Sequence, residues 1–151
     1  MQSDSKFHEM IQMEQGRRAL SNEEKDFIST IVNKRLSEYP EVRFAFLHGS
    51  FLENLPSRDI DIAVYFDPRL DSETILDLTL KLSVEITSSI HIQADVHALN
   101  LANNDFRYHA TQGQVVLSRD DEETFGFIEN TWLAFMDFHP LARQILSDLA
   151  D

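Results

Sequence analysis

From residue 21 onward the chain switches repeatedly between two hydrophobic periods. Phe27, Ile28, Ile31, Val32 and Leu36 recur at three- and four-residue spacing, which places them on one face of a helix. Ser21 and Glu24 precede them at the spacing of a capping box, and Pro40 ends the run. Val42 to His48 alternates instead. Val42, Phe44, Phe46 and His48 fall on one side and Arg43, Ala45 and Leu47 on the other, which predicts a strand with at least one buried face. Gly49-Ser50 closes that strand, and Asn54, Pro56 and Ser57 mark residues 51–58 as a loop. A second strand is predicted over Asp59–Phe66, with Ile60, Ile62, Val64 and Phe66 pointing one way and Asp59, Asp61, Ala63 and Tyr65 the other. Helical spacing returns over residues 72–87 through Ile75, Leu78, Leu82 and Ile86. Alternation resumes from Ile90 to Leu99, with Ile90, Ile92, Ala94, Val96 and Ala98 inward and His91, Gln93, Asp95 and His97 opposite.

A short helix over Asn104–Thr111 and a brief strand over Gln114–Leu117 follow. A long helix is then predicted from about Glu122 to Asp148, with Trp132, Phe135, Met136, Leu141, Ile145 and Leu149 in its apolar stripe and Pro140 expected to bend it. Helix, strand, strand, helix, strand, helix, strand, helix is the order of a small α/β domain, a sheet flanked by helices with a helical C-terminal segment. Residues 1–20 read as an N-terminal arm, in which Phe7, Met10, Ile11 and Met13 form one weak stripe broken by Gly16, and residues 21–151 as the domain.

Composition narrows the function. The chain has no cysteine, which removes disulfides, thiolate zinc sites and cysteine nucleophiles. Its 13 basic and 26 acidic residues give a net charge of −13, so direct binding of nucleic acid is not expected; Arg17-Arg18 and Lys34-Arg35 are the basic doublets and form no segregated patch. Such acidity suits solubility or a basic protein partner. No apolar run approaches the roughly 18 residues of a membrane span, and the polar N-terminus does not read as a signal peptide, so a cytoplasmic protein is expected.

The chemistry-bearing residues lie around the second strand. Asp59 and Asp61 share a strand face about 6–7 Å apart. Carboxylates held that close repel each other, and a hard divalent cation such as magnesium or manganese relieves the repulsion. Gly49 permits close backbone approach to a phosphate, and Ser50 offers a hydroxyl. Asp95 lies on the polar side of the third strand. If that strand neighbours the second, three carboxylates converge where they can bind metal, activate a hydroxyl and stabilise a leaving pyrophosphate. His48 and His97 stand beside this cluster and read as packing or hydrogen-bonding residues. No His/Asp/Glu spacing reads as a zinc site. Trp132, Phe135, Met136 and Phe138 fall within two helical turns, too many large residues for one buried stripe, so some are expected at an interface.

The segment FAFLHGSFLENLPSRDIDIAVYF resembles the signature of the DNA polymerase β-like nucleotidyltransferase superfamily: a hydrophobic strand, Gly-Ser, a loop, and Asp-x-Asp in a second strand. QADVHALN is similar to the strand that bears the third acid, and the tail containing VVLSRD and the aromatic-rich helix resembles the minimal nucleotidyltransferase (MNT) antitoxins of HEPN–MNT toxin–antitoxin systems. The resemblance covers roughly residues 21–148. It implies a small nucleotidyltransferase fold with a mixed sheet. It also implies a magnesium- or manganese-dependent protein adenylyltransferase, an antitoxin that moves AMP from ATP to a tyrosine of a cognate HEPN-domain toxin. The two proteins would form a hetero-oligomer. Asp59, Asp61 and Asp95 would be the catalytic and metal-binding residues, and Gly49, Ser50 and Arg58 would bind nucleotide. The loop of eight residues between Ser50 and Asp59 is shorter and less basic than the family usually has, with Phe51, Leu52 and Glu53 after Gly-Ser. An antitoxin that acts by binding alone is the alternative, and a nucleotidyltransferase for small molecules a weaker one.

Overall fold

The computed structural model describes residues 20–49 and 59–150, with the backbone alone at 138, 139 and 142. The expected arm other than Leu20, the loop 51–58, and two candidate site residues, Ser50 and Arg58, lie outside the described residues, as does the side chain of Phe138.

Helix α1 spans Asn22–Ser37, and its start is the capping box read from the sequence. The Glu24 amide donates to Ser21 Oγ at 3.2 Å, and the Ser21 amide donates to Glu24 Oε1 at 3.0 Å. Strands β1 (Val42–His48) and β2 (Asp59–Phe66) follow. Next come helix α2 (Ser72–Ile90), strand β3 (Gln93–Ala98) and a 3₁₀ turn at Leu99–Leu101. Helix α3 (Asn104–Thr111), strand β4 (Gln114–Ser118) and helix α4 (Asp121–Ala150) complete the chain. Among the described residues no helix is long and apolar enough to cross a membrane.

The four strands form one mixed sheet in the order β3-β2-β1-β4. β1 pairs antiparallel with both β2 and β4, and β2 pairs parallel with β3 through the α2 crossover. Alternation along each strand divides the core in two. Ala45, Leu47, Ile60, Ile62, Val64, Phe66, Ala94 and Val96 pack with Ile28, Val32, Leu36, Leu82 and Ile86 of α1 and α2. Phe44, Phe46 and Ala63 pack on the opposite face with Ala110 of α3 and Phe127 and Ile128 of α4.

Two details differ from the sequence reading. Val42 packs with Ala45 and Leu47 rather than with Phe44 and Phe46. Val42 pairs with Phe66 and Phe44 with Tyr65, so Arg43 is an extra residue in β1, and this bulge moves Val42 to the other face. Helix α2 runs three residues past its expected end, to Ile90, and is stopped by His91 in the left-handed conformation at φ 59°. Ile90 and Ile92 then enter the same core from either side of that turn, which mimics the alternation of a longer strand. Helix α4 is continuous through Pro140.

Side chains of the helices meet backbone groups on both outer strands. Ser83 and Thr87 of α2 accept hydrogen bonds from the Val96 and Ala94 amides at 3.1 and 2.9 Å. On the far side Asn33 of α1 donates to the carbonyl of Val116 at 2.7 Å. Val116 is the extra residue of a second bulge, because Ala45 pairs with Leu117 and Phe46 with Val115.

α1 and α2 are also tied by polar contacts. Arg35 donates to Ser89 Oγ at 2.9 Å, and Tyr39, just past α1, donates from its hydroxyl to Glu85 Oε2 at 2.6 Å. Burial and the Glu85 carboxylate push the Tyr39 phenol up from 10.0 to about 12. The neutral phenol is therefore the form the fold favours. Its contribution is complete below pH 10 and is lost as pH rises through about 12. We predict that Tyr39→Phe lowers stability by about 1 kcal/mol at neutral pH and reduces the loss of stability between those two pH values. Denaturant melts at pH 7, 10 and 11.5 check this, and equal stability of the two proteins at pH 7 would contradict it.

Candidate active site

Pairing across the sheet brings the candidate acids together. Asp61 is the register partner of His48 on β1 and of Asp95 on β3, so the three residues lie in one row across three strands. Asp59 is one step outward on β2, opposite Gln93. The buried partners of this row, Ile60, Ile62, Ala94 and Val96, fill the core on the opposite face, so strand alternation forces Asp59, Asp61 and Asp95 onto one face. On that face α3 and α4 cover Phe44, Phe46, Ala63 and Tyr65, and Phe106 of α3 reaches His48 and His97. At the other end Asp59 is exposed and Asp61 and Asp95 are half-buried. Gln93 Nε2 donates to Asp95 Oδ1 at 3.3 Å, which orients the third acid from its own strand.

Gly49 leaves β1 with φ at +76°, in the left-handed region. A Cβ at this position would lie 2.6 Å from Asp61 Oδ2, so a side chain here would displace the central carboxylate as well as strain the left-handed backbone. A second close approach supports the same strand end. A Cβ on Gly113, in the turn between α3 and β4, would lie 2.1 Å from the Leu47 carbonyl and 3.0 Å from His48 Cβ. The sequence reading passed over Gly113; a glycine between a helix end and a strand was the signal available.

His48, at the β1 end of the row, packs against α3. Its ring meets Phe106 edge-on at 5.4 Å, and Phe106 meets His97 at the same distance. His48 Nε2 is buried without a hydrogen-bond partner. Burial lowers the affinity of this imidazole for a proton, Asp61 partly offsets that, and His97 adds to the lowering. His48 is thus a neutral packing residue beside the carboxylates, in line with its reading from the sequence.

The donor set of Asp59, Asp61 and Asp95 is all hard oxygen, the chemistry that suits magnesium or manganese. Among the described residues no group of three or more His, Asp or Glu side chains is arranged to hold an ion by itself. A magnesium site made of one or two carboxylates, completed by substrate phosphates and water, needs no such group. Gly49, without a side chain, lets the backbone at the end of β1 lie against the Asp61 carboxylate.

Fold and carboxylate row together are those of a nucleotidyltransferase. The chain belongs to the polymerase beta nucleotidyltransferase family, whose model matches residues 30–122. No curated protein matches it significantly. Among solved structures, it is similar to a chain in the rebuilt structure of a tri-AMPylated HEPN toxin in complex with MNT antitoxin, from Shewanella oneidensis. The two are 18% identical, with 84% of this chain and 99% of that chain covered at a TM-score of 0.64. A chain in a crystal structure of a toxin–antitoxin with AMP-PNP is 19% identical, covering 82% of this chain and 98% of that one at a TM-score of 0.65. A chain of the toxin–antitoxin MntA–HepT is 17% identical, with 83% and 99% covered and a TM-score of 0.63. These likenesses show the mixed-sheet nucleotidyltransferase fold.

We predict that Gly49→Ala costs about 1–2 kcal/mol through its left-handed backbone. The same change should push the Asp61 carboxylate out of the row; we predict that ATP with magnesium raises the melting temperature of the parent and that this variant loses most of the rise. Thermal melts with and without ligand measure both effects. An unchanged ligand-induced shift in this variant would show that the approach of Gly49 to Asp61 has no part in binding.

Proposed function

We propose that the chain is an adenylyltransferase antitoxin that moves AMP from ATP to a tyrosine hydroxyl of a HEPN-domain partner, with magnesium or manganese as the metal. The observation that carries the reading is the register of β2 against β3, which sets Asp95 beside Asp61, with the Gly49 backbone against the Asp61 carboxylate. The structures that share the fold include a tri-AMPylated HEPN toxin in complex with MNT antitoxin and a toxin–antitoxin with AMP-PNP, which supports the same chemistry here.

In this reading Asp59 and Asp61 hold the metal and, with it, the triphosphate. Gly49 lets the phosphates approach the end of β1, with Ser50 and Arg58 as further phosphate ligands. The metal, when bound, neutralises charge on the triphosphate and on the departing pyrophosphate. Asp95 accepts the proton of the phenol. The phenolic oxygen forms a bond to the α-phosphorus, the bond from that phosphorus to the β-bridging oxygen breaks, and pyrophosphate leaves with the electron pair. Gln93 keeps Asp95 directed at the acceptor.

Helix α4 supplies the surface for the partner. Its middle packs on α3, where Phe135 stacks on Tyr108 at 3.7 Å and Trp132 Nε1 donates to Thr111 Oγ1 at 2.9 Å. Phe135 is therefore chiefly a packing residue, and Trp132 is anchored to α3 yet 36% exposed. Beyond them Leu133, Met136, Leu141, Ile145, Leu146 and Leu149 are exposed, an apolar helix surface on an acidic protein.

Chemistry and association should separate. We predict that Asp59→Asn, Asp61→Asn and Asp95→Asn each abolish AMP transfer while melting no lower than the parent, because removing one of several clustered negative charges relieves repulsion. Asp95→Asn should still pull down the partner. If that variant neutralises the partner fully with no AMP on it by mass spectrometry, the antitoxin acts by contact and the enzymatic reading is wrong. We further predict that Met136→Asp weakens association at least tenfold and leaves the melting temperature within a few degrees of the parent. Undiminished pull-down by Met136→Asp would exclude this part of α4 from the interface.

A further inference from the structure

Between α3 and α4, at the Tyr65 end of β2, lies a cavity of about 270 Å³. Tyr65 and Phe127 give it an aromatic wall, and Asn104, Arg107, Asn130 and Thr131 supply its polar groups. No Asp or Glu lines it, although the chain has 26 acidic against 13 basic residues. Arg107 is half-buried. Its Nε donates to the Leu99 carbonyl at 2.9 Å and its Nη2 to the Asn100 carbonyl at 3.2 Å. Its Cζ lies 5.4 Å from the centroid of the Phe127 ring. These contacts fix the plane of the guanidinium. Among the described residues none of its hydrogen bonds reaches a carboxylate, and Nη1 has no partner there. The charge is therefore oriented, partly removed from water and without a counter-ion, which an incoming anion would supply.

We propose that this cavity binds a small organic oxyanion: a carboxylate or phosphate head on Arg107 and the asparagine amides, with a flat apolar body against Tyr65 and Phe127. Amide and hydroxyl donors beside a guanidinium are the groups that recognise such a head. Pockets for drug-sized ligands run from roughly 300 to 1,000 Å³, so this smaller cavity suits a single ring with its head group. The net charge of −13 opposes anion binding over the surface in general, and an anion held here would owe its affinity to the local donors. Tyr65 stands four residues from Asp61 on β2, roughly 13 Å along the strand. The cavity is therefore separate from the carboxylate row, and the inference is independent of the transfer reaction proposed there.

The test titrates the full chain, without metal or ATP and at constant ionic strength, with benzoate and with phenyl phosphate, and follows binding by ligand-observed NMR. At least one of the two should bind with a Kd of about 1 mM or tighter, and tenfold tighter than its head group alone, acetate or inorganic phosphate. The tighter of the two probes identifies the head as carboxylate or phosphate. Asn130→Asp, at an exposed position, puts a negative charge on the wall and should weaken binding at least tenfold. Arg107→Gln should do the same, and if losing its bonds to Leu99 and Asn100 unfolds the domain, Asn130→Asp still decides. Asp61→Asn should bind as the parent does. Binding of neither probe, undiminished binding by Asn130→Asp, or equal affinity for uncharged benzyl alcohol would overturn the site. So would tenfold tighter binding by Asp61→Asn, since the anion would then sit at the carboxylate row.

Discussion

The parallel pairing of β2 with β3 is the constraint on which the site depends. A parallel neighbour cannot be reached by a tight turn, so the chain must cross over through a helix, and α2 is that helix. Its buried Ile75, Leu82, Ile86 and Ile90 and the buried residues of β2 and β3 fix one another's depth in a single core. A slip of one residue in either strand would drive an aspartate into that core, at a cost of several kcal/mol for an unpaired buried charge. The packing of one face of the sheet thus sets the alignment of Asp61 with Asp95 on the other, and the position of the carboxylates is specified by side chains that never touch them.

The second face is divided along its length. Aromatic rings from β1, β2 and α4 close one part of it, with Phe44 stacked on Tyr65 at 4.8 Å and both against Phe127. Helix α3 marks the boundary, where Phe106 turns its ring toward the two histidines. Past that line no described helix packs over the polar ends of the strands. Rigid, apolar packing therefore lies directly against a region able to receive charged ligands, an arrangement that holds a site in place through the scaffold rather than through its own contacts.

Much of this was legible in the sequence, because the features involved are local. The capping box at Ser21 and Glu24, the bounds of β2 and the shared face of Asp59 and Asp61 follow from spacing alone. The family resemblance likewise rested on contiguous motifs. Pairing was the step that sequence left conditional: whether Asp95 joins the other acids depends on which strands are neighbours. The bulges at Arg43 and Val116 were hidden, since an extra residue is defined only against a partner strand. His91 was misread because a non-glycine residue in the left-handed region breaks no visible pattern, and isoleucines on both sides of it satisfied the alternation of a strand. The exposed apolar row on α2 was missed for a different reason. Leu76, Leu80 and Val84 form a second helical row beside the buried one on α2, and the stronger stripe drew the reading.

The hydroxyls of Ser83 and Thr87 against β3, and the amide of Asn33 against the bulge in β4, have a consequence for assembly. Backbone groups at the rim of a sheet are adhesive toward any extended chain, including a second copy of the same protein or one still being synthesised. Here side chains from the domain's own helices occupy part of that rim on both sides. A complex involving this domain is therefore biased toward joints made by helices and loops, which can be remade and released. Strand exchange, which fuses sheets and is slow to reverse, is discouraged at both margins.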